Sequence, residues 1–219
     1  MDGFSIEKFR FTEINEVADI LRNAFISNPA YSIIFKKRDQ RADGLFWLFK
    51  TNLLILNQNE LLTHVVKEKS TGRIIGTYTL IPPQGVRKTL SAYSQIGLPR
   101  FILKFGMNAL IRMLKLDKYN KRLLAESIRI PQYHYLSMVV INEEYRGKGI
   151  GSYIIKDAIT SLIASNTTCK IVGLTTQLPE NVTFYSRLGF EKLDDEPACF
   201  EEDEYFNCNM QLNLDIFAN

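Results

Sequence analysis

The stretch Leu136–Ser165 reads LSMVVINEEYRGKGIGSYIIKDAITSLIAS, and the rest of the 219-residue chain is read outward from it. Leu136 to Ile141 is apolar except for Ser137, the pattern of a strand buried on both faces. Asn142, Glu143 and Glu144 break the run. Arg146-Gly147-Lys148-Gly149-Ile150-Gly151 then forms a turn of small residues. From Ser152 onward Ile154, Ile155, Ala158, Ile159, Leu162 and Ile163 recur at helical spacing. A strand, a glycine turn and a helix in that order make a site for an anion. Glycine lets a ligand come close to the backbone, and the first amides of a helix have no partner within it and carry partial positive charge. Arg146 and Lys148 add full charges. A pyrophosphate would be held here chiefly by backbone N–H groups, with Gly147, Gly149, Ile150, Gly151 and Ser152 at the contact.

Two common phosphate loops do not fit. No G-x-x-x-x-G-K-[ST] is present, and Gly147 to Gly151 is GxGxG, one residue short of the dinucleotide fingerprint. The spacing that fits is R-x-x-G-x-G at Arg146, Gly149 and Gly151, inside V-x-I-x-x-x-Y-R-G-K-G-I-G from Val139 to Gly151. It resembles the acyl-CoA loop of the GNAT superfamily of N-acetyltransferases. Glu180-Asn181-Val182-Thr183-Phe184-Tyr185-Ser186-Arg187-Leu188-Gly189-Phe190 resembles that family's downstream N-x-x-x-F-Y-x-x-L-G-F helix and turn. The segment from Ala24-Phe25 to Phe35 resembles the opening of puromycin-acetyltransferase-like members.

The resemblance implies an α/β fold of the α+β kind, built on a mixed sheet, as one domain over residues 1–219. Its reaction is transfer of an acetyl group from acetyl-CoA to the primary amine of a small molecule or peptide, in a ternary complex and without a metal. It implies that Val139, Val140 and Ile141 contact the pantetheine arm through their backbone. Asn181 bonds the same arm, and Tyr185 donates a proton to the departing thiolate. At an ordinary phenol pKa of about 10, Tyr185 is protonated at neutral pH. The base stays open between His134, Glu126, Glu143 and a chain of water molecules; His134 has the suitable intrinsic pKa. Phe25, Tyr31 and Phe35 contact the acceptor, or else only fill the core. The alternative class is a non-catalytic acyl-CoA sensor, which would keep Arg146 to Gly151 and dispense with Tyr185. The resemblance also allows a homodimer.

Composition bounds the remainder. A net charge of +3 gives no case for nucleic acid, and no apolar run is long enough to span a membrane, so neither is an expected partner. Cys169, Cys199 and Cys208 have no metal-ligand spacing and read as reduced thiols. Met1-Asp2-Gly3 does not open a signal peptide, so the expected location is cytoplasmic.

Pattern alone places the other elements. Ile6 to Phe11 reads as a strand, followed by a helix capped by Thr12 or Asn15 that ends at Asn28-Pro29. A second helix starts at Asp43. Leu61 to Glu68 and Arg73 to Ile81 read as a hairpin. Residues 94–128 read as a helical insertion before the central strand, starting from Pro99. With the adjoining Arg129 included, it carries Arg100, Lys104, Arg112, Lys115, Lys118, Lys121, Arg122 and Arg129 against Asp117 and Glu126. That face is a wall attracting anions or an acidic partner, an ordinary solvated face, or a helix lying on a membrane. Lys170 to Thr176 reads as a strand, Pro179 to Arg187 as a short helix capped by Gly189, and Phe190 to Leu193 as a strand. Asp194 to Glu204, with seven acids in eleven residues, reads as an exposed loop that is solvated or attracts a cationic amine. Tyr205 to Leu214 reads as the last strand.

Overall fold

In the computed structural model, residues 3–86, 96–165, 167–194 and 196–217 are described. A seven-stranded sheet runs through the molecule. Its strands are β1 (Phe4–Lys8), β2 (Thr63–Glu68), β3 (Ile74–Ile81), β4 (His134–Ile141), β5 (Ile171–Thr176), β6 (Glu191–Lys192) and, after a separate hairpin, β9 (Cys208–Asn213). Their order is β1-β2-β3-β4-β5-β9-β6. Neighbours are antiparallel except β4 and β5, which run parallel. The hairpin consists of β7 (Ala198–Phe200) and β8 (Asp203–Tyr205).

Helices cover both faces. One face carries α1 (Ile14–Phe25), α2 (Pro29–Ile34), α3 (Arg38–Leu56), α4 (Leu98–Phe105) and α5 (Met107–Ile128). Their core includes Leu21, Leu45, Phe49, Phe101, Leu116 and Val140, and the β7–β8 hairpin joins it through Ala198, Phe200 and Tyr205. The other face carries α6 (Ile150–Ala164), α7 (Pro179–Ser186) and α8 (Leu214–Phe217). There Ile154, Ile155, Ile159, Leu174, Tyr185 and Met210 pack together.

Several sequence expectations are corrected. The first strand ends at Lys8, not Phe11. Phe9 turns fully into the core, while Phe11 stands exposed in a 3-10 turn, Phe11–Glu13. The Glu13 side chain, not Thr12 or Asn15, closes this start by accepting from the Arg10 amide at 2.9 Å. Asn28 does more than end α1, since its Oδ1 accepts from Ala30 N at 3.0 Å and so caps α2. The helix expected from Asp43 begins at Arg38. The insertion is two helices parted at Gly106 (φ +83), and residues 94 and 95 lie outside the described residues.

The acidic run is not a loop. Its alternating Ala198, Phe200 and Tyr205 turn inward as a hairpin while Glu201, Glu202 and Glu204 stay in water. Its acids meet the insertion and the turn after α2: Lys115 pairs with Glu201 (3.5 Å) and Lys36 with Asp203 (3.9 Å). Most cations of the insertion are also engaged. Lys104 pairs with Asp43, Lys121 with Asp117 and Arg122 with Glu126, and the Arg112 guanidinium donates to the Ile34 carbonyl.

Candidate active site

The glycine turn is fixed by local bonds. Asn142 N donates to Ile75 O at 2.8 Å, which holds the end of β4 against β3. A 3-10 turn, Glu143–Tyr145, follows, and Arg146 Nε reaches back to the Ile141 carbonyl at 3.0 Å. Gly147 and Gly149 lie at φ +74 and +77, the left-handed region that side chains disfavour. Helix α6 then begins, and its first backbone bond runs from Tyr153 N to Gly149 O. No side chain caps this end and no acid stands in its first turn. The amides of Ile150, Gly151 and Ser152 therefore precede the hydrogen-bonded helix with no competing anion beside them. Gly151 serves packing instead. A Cβ there would come 3.3 Å from Phe184, so its smallness lets α6 meet α7. Lys148 lies 4.9 Å over the Tyr145 ring, and the Tyr145 hydroxyl donates to Glu68 at 3.1 Å.

Beside this turn the sheet forks. Strands β4 and β5 pair only at His134↔Val172 and Tyr135↔Gly173, and from Leu136 onward they part. Strand β4 also bulges. Thr79 faces Ser137 but Thr77 faces Val140, so Met138 and Val139 together oppose one residue of β3. Met138 sits at φ +50. The expectation of a strand buried on both faces is corrected here. Met138, Val139 and Ile141 are only partly buried, because β4 has lost its neighbour along that edge. The edge leaves backbone groups of β4 without a β5 partner, and an extended ligand arm can pair with them.

Three tyrosines approach this fork, from α7, β4 and α2. Tyr185 is 8% exposed and packs on Phe184 (5.1 Å) and Phe190 (5.6 Å). Burial pushes its hydroxyl well above the usual phenol range, and the neighbouring Tyr135 adds to the shift. Tyr135 is pushed up to about 12 by burial, with Asp117 and Tyr133 adding and the Thr175 hydroxyl opposing. Tyr31 is raised by burial, then by Tyr135 and Asp117. Thr175 is in turn anchored. Its Oγ1 donates to Asn209 Oδ1 at 2.8 Å, while Asn209 Nδ2 donates to Ser127 (3.1 Å) and Asp194 (3.0 Å). At the open end of the fork Asn28 bonds Gln177 (3.2 Å) and Gln177 bonds Asn207 (3.1 Å), tying the α1–α2 corner to β5 and β9.

The other expected residues fall as follows. Asn181 is not a helix cap, since Leu178 holds that place. Its Nδ2 donates to Thr176 Oγ1 at 3.1 Å at the end of β5. Phe25 and Tyr31 are partly exposed and form a ring cluster with Phe49 at centroid distances of 5.3 to 5.9 Å. Phe35 is shut away at 3% exposure between Phe101 and Phe105, so it is a packing residue and presents no face to a ligand.

His134 is the first residue of β4, at the closed end of the fork. It stands about 23 Å from Ile141 along the strand at the usual rise per residue. It is buried, its Nε2 bonds Thr167 at 3.1 Å, and burial lowers its pKa. Glu126 is exposed and paired with Arg122, and Glu143 is exposed in the turn after β4. Sequence reasoning misses Tyr135, Thr175 and the Met138 bulge. Alternation along β4 offers Tyr135 as facing the same side as Ser137, but nothing in the chain marks the bulge. An acidic cleft of ≈ 550 Å³ is lined by Glu16, Asp19, Arg73, Asn142, Glu143 and Glu144, and none of the three tyrosines lines it. Among the described residues no group of three or more His, Cys, Asp or Glu side chains converges to hold a metal ion.

Comparison with known proteins agrees with this geometry. Residues 107–214 match the family described as the acetyltransferase (GNAT) domain. Solved structures share the fold along nearly the whole chain. One is from Corynebacterium glutamicum, described as histone acetyltransferase HPA2 and related acetyltransferase. It is 19% identical, covers 94% of this chain and 95% of its own, and has a TM-score of 0.61. A second, SsHAT, is 16% identical with 97% and 98% covered and a TM-score of 0.62. A third is spermidine N-acetyltransferase from Vibrio cholerae in complex with CoA and spermine. It is 12% identical, covers 100% of both chains, and has a TM-score of 0.56. No curated protein sequence matches the chain. Residues 107–214 thus form a GNAT acetyltransferase domain, and the protein is an acyltransferase.

Proposed function

We propose that this protein transfers the acetyl group of acetyl-CoA to a primary amine by direct attack within a ternary complex. The observation that carries the reading is the β4–β5 fork with its bulge, set between an uncapped glycine turn and a buried tyrosine. Residues Arg146 to Ser152 hold the pyrophosphate, mainly through the amides of Gly147 to Ser152. The pantetheine arm runs back along the open edge of β4, pairing with backbone groups of Val139, Val140 and Ile141. The Asn181 carbonyl oxygen, left over when its amide binds Thr176, accepts from the arm. A β4 amide near the bulge polarises the thioester carbonyl where charge develops.

The acceptor enters from the α1–α2 side, where Phe25 and Tyr31 stand partly exposed. Its nitrogen attacks the carbonyl carbon, the C–S bond breaks, and Tyr185 gives its proton to the thiolate. Burial raises the Tyr185 pKa, which keeps the phenol protonated at neutral pH but weakens it as an acid, so it hydrogen-bonds the sulfur and passes its proton only as negative charge develops there. The proton lost by the amine goes to water. His134 lies at the closed end of the fork and has no part in this reading. We take residues 1–219 as one domain. The cysteines are all thiols, which fits a reducing compartment such as the cytoplasm. The bound CoA and spermine of the Vibrio cholerae enzyme make polyamines a sensible first class of acceptor to screen.

The test is calorimetric titration with acetyl-CoA and with CoA, followed by thiol release in the presence of a panel of primary amines. Saturable binding with amine-dependent thiol release is expected. Absence of binding at millimolar ligand would overturn the assignment of the turn.

A further inference from the structure

The insertion helices turn an unusual surface outward. Leu103 on α4 is 90% exposed, and on α5 Met107 is 50%, Ile111 42% and Leu114 59% exposed. The three α5 positions are spaced i, i+4 and i+7, so they form one stripe, opposite the side that buries Ala109 and Leu116. Leu103 extends the row past the Gly106 break, facing away from buried Phe101. Four large apolar side chains in a row, exposed on a helix pair that already has an inward core face, mark an interaction surface and not stray surface residues.

The charges around the stripe identify the occupant. From Leu98 to Lys118 the chain holds Arg100, Lys104, Arg112, Lys115 and Lys118 against Asp117. Asp43 and Glu201 engage Lys104 and Lys115, and Arg112 donates to the Ile34 carbonyl, which leaves Arg100 and Lys118 outside any ion pair among the described residues. Lys118 continues the outward stripe one turn beyond Leu114. A second copy seated on the same stripe by two-fold symmetry would set these cations against their own images. A surface of lipid phosphates complements them, and its interior accepts the apolar side chains. Among the described residues no helix is long and apolar enough to cross a membrane, so the contact is made in the plane of the headgroups.

We propose that the outward face of α4 and α5 docks this protein on anionic phospholipid. Leu103, Met107, Ile111 and Leu114 enter the boundary between headgroups and acyl chains. Arg100 and Lys118 meet the phosphates, while Lys104 and Lys115 stay paired with Asp43 and Glu201. Composition counts against a membrane partner only for want of a spanning segment, and this contact needs none.

The experiment is flotation of the full chain with vesicles of phosphatidylcholine alone and with about 30 mol% phosphatidylglycerol. Flotation with the anionic vesicles is expected, at least about tenfold stronger than with neutral ones. It should weaken as salt rises above about 0.1 M, where the screening length is already about 10 Å. Leu103→Glu combined with Ile111→Glu should abolish it, and these exposed positions should leave the melting temperature unchanged. Lys118→Glu, with the apolar row intact, should lose the preference for anionic lipid. No flotation with anionic vesicles, or equal flotation of the double variant, overturns the proposal. So does a salt-resistant dimer in sedimentation velocity that the double variant dissociates, because the stripe would then be an interface between copies.

Discussion

Gly149 stands at φ +77 as the last residue before α6, and its neighbours Ile150 to Ser152 offer the amides assigned to the pyrophosphate. A side chain there is strained by about 1–2 kcal/mol before it touches any ligand. Gly149→Val is therefore expected to raise the dissociation constant for acetyl-CoA at least tenfold by calorimetry, with Gly149→Ala intermediate. A valine variant that binds normally would show that the turn is only structural. Tyr185 makes a complementary case. Tyr185→Phe keeps the ring contacts with Phe184 and Phe190 and removes one hydroxyl. Turnover should fall by about 10²-fold, the lower range for a positioned acid, with acetyl-CoA affinity unchanged within a few-fold. Unchanged turnover would remove the phenol from the mechanism. At this scale the sequence is informative, because glycines at positive φ and a tyrosine in a fixed motif act through local geometry. Tyr135 is not legible. Its place beside Tyr185 depends on where β4 and β5 separate, and no local pattern encodes that.

Elements meet closely where residues are small. An added Cβ on Gly44 of α3 would lie 2.3 Å from Cε1 of Phe35, just beyond α2, so the helix and the ring touch only because position 44 is bare. Gly44→Ala should cost about 1–3 kcal/mol by overpacking, read as a lower urea midpoint. In a Phe35→Leu background the penalty should shrink, giving a measurable coupling between the two sites. An additive pair would mean that α3 relaxes by another route. The hairpin β7–β8 shows why elements are harder to read than residues. Seven acids between Asp194 and Glu204 suggest a solvated loop, and composition hides the alternation of Ala198 and Phe200. The inward face of a three-residue strand is too short a signal to stand out from its charges. The insertion gives the opposite result. Its helical period is plain, but its row of cations does not reveal that Asp43, Glu201 and the Ile34 carbonyl engage several of them.

For the molecule as a whole, the buried titratable groups set a window of stability in pH. His64 stacks on Tyr78 at 4.7 Å, and its Nδ1 is buried without a hydrogen-bond partner. Burial first, and then the charge of Lys8, lowers its pKa to about 4. A histidine depressed in the folded state contributes stability above its unfolded pKa of about 6.5, and that contribution is lost as pH falls toward 4. His134, the chain's other histidine, is lowered in the same direction. The tyrosines act at the opposite end. Tyr31, Tyr78, Tyr185 and Tyr205 are raised chiefly by burial, so their contribution is whole below about pH 10 and fades above it. Denaturant midpoints should hence form a plateau between about pH 7 and 10 and fall on both sides. The acid descent should begin near pH 6.5, above the range where carboxylates protonate, because the histidines must charge first. His64→Phe preserves the stack on Tyr78 and removes the proton site. It should flatten that first descent by about 2 kcal/mol, after allowance for the part of the ring that water reaches, and leave the alkaline limb as it was. A wild-type midpoint constant from pH 7 to 4.5 would show that the folded chain admits the imidazolium without cost, and would remove His64 from the account of stability.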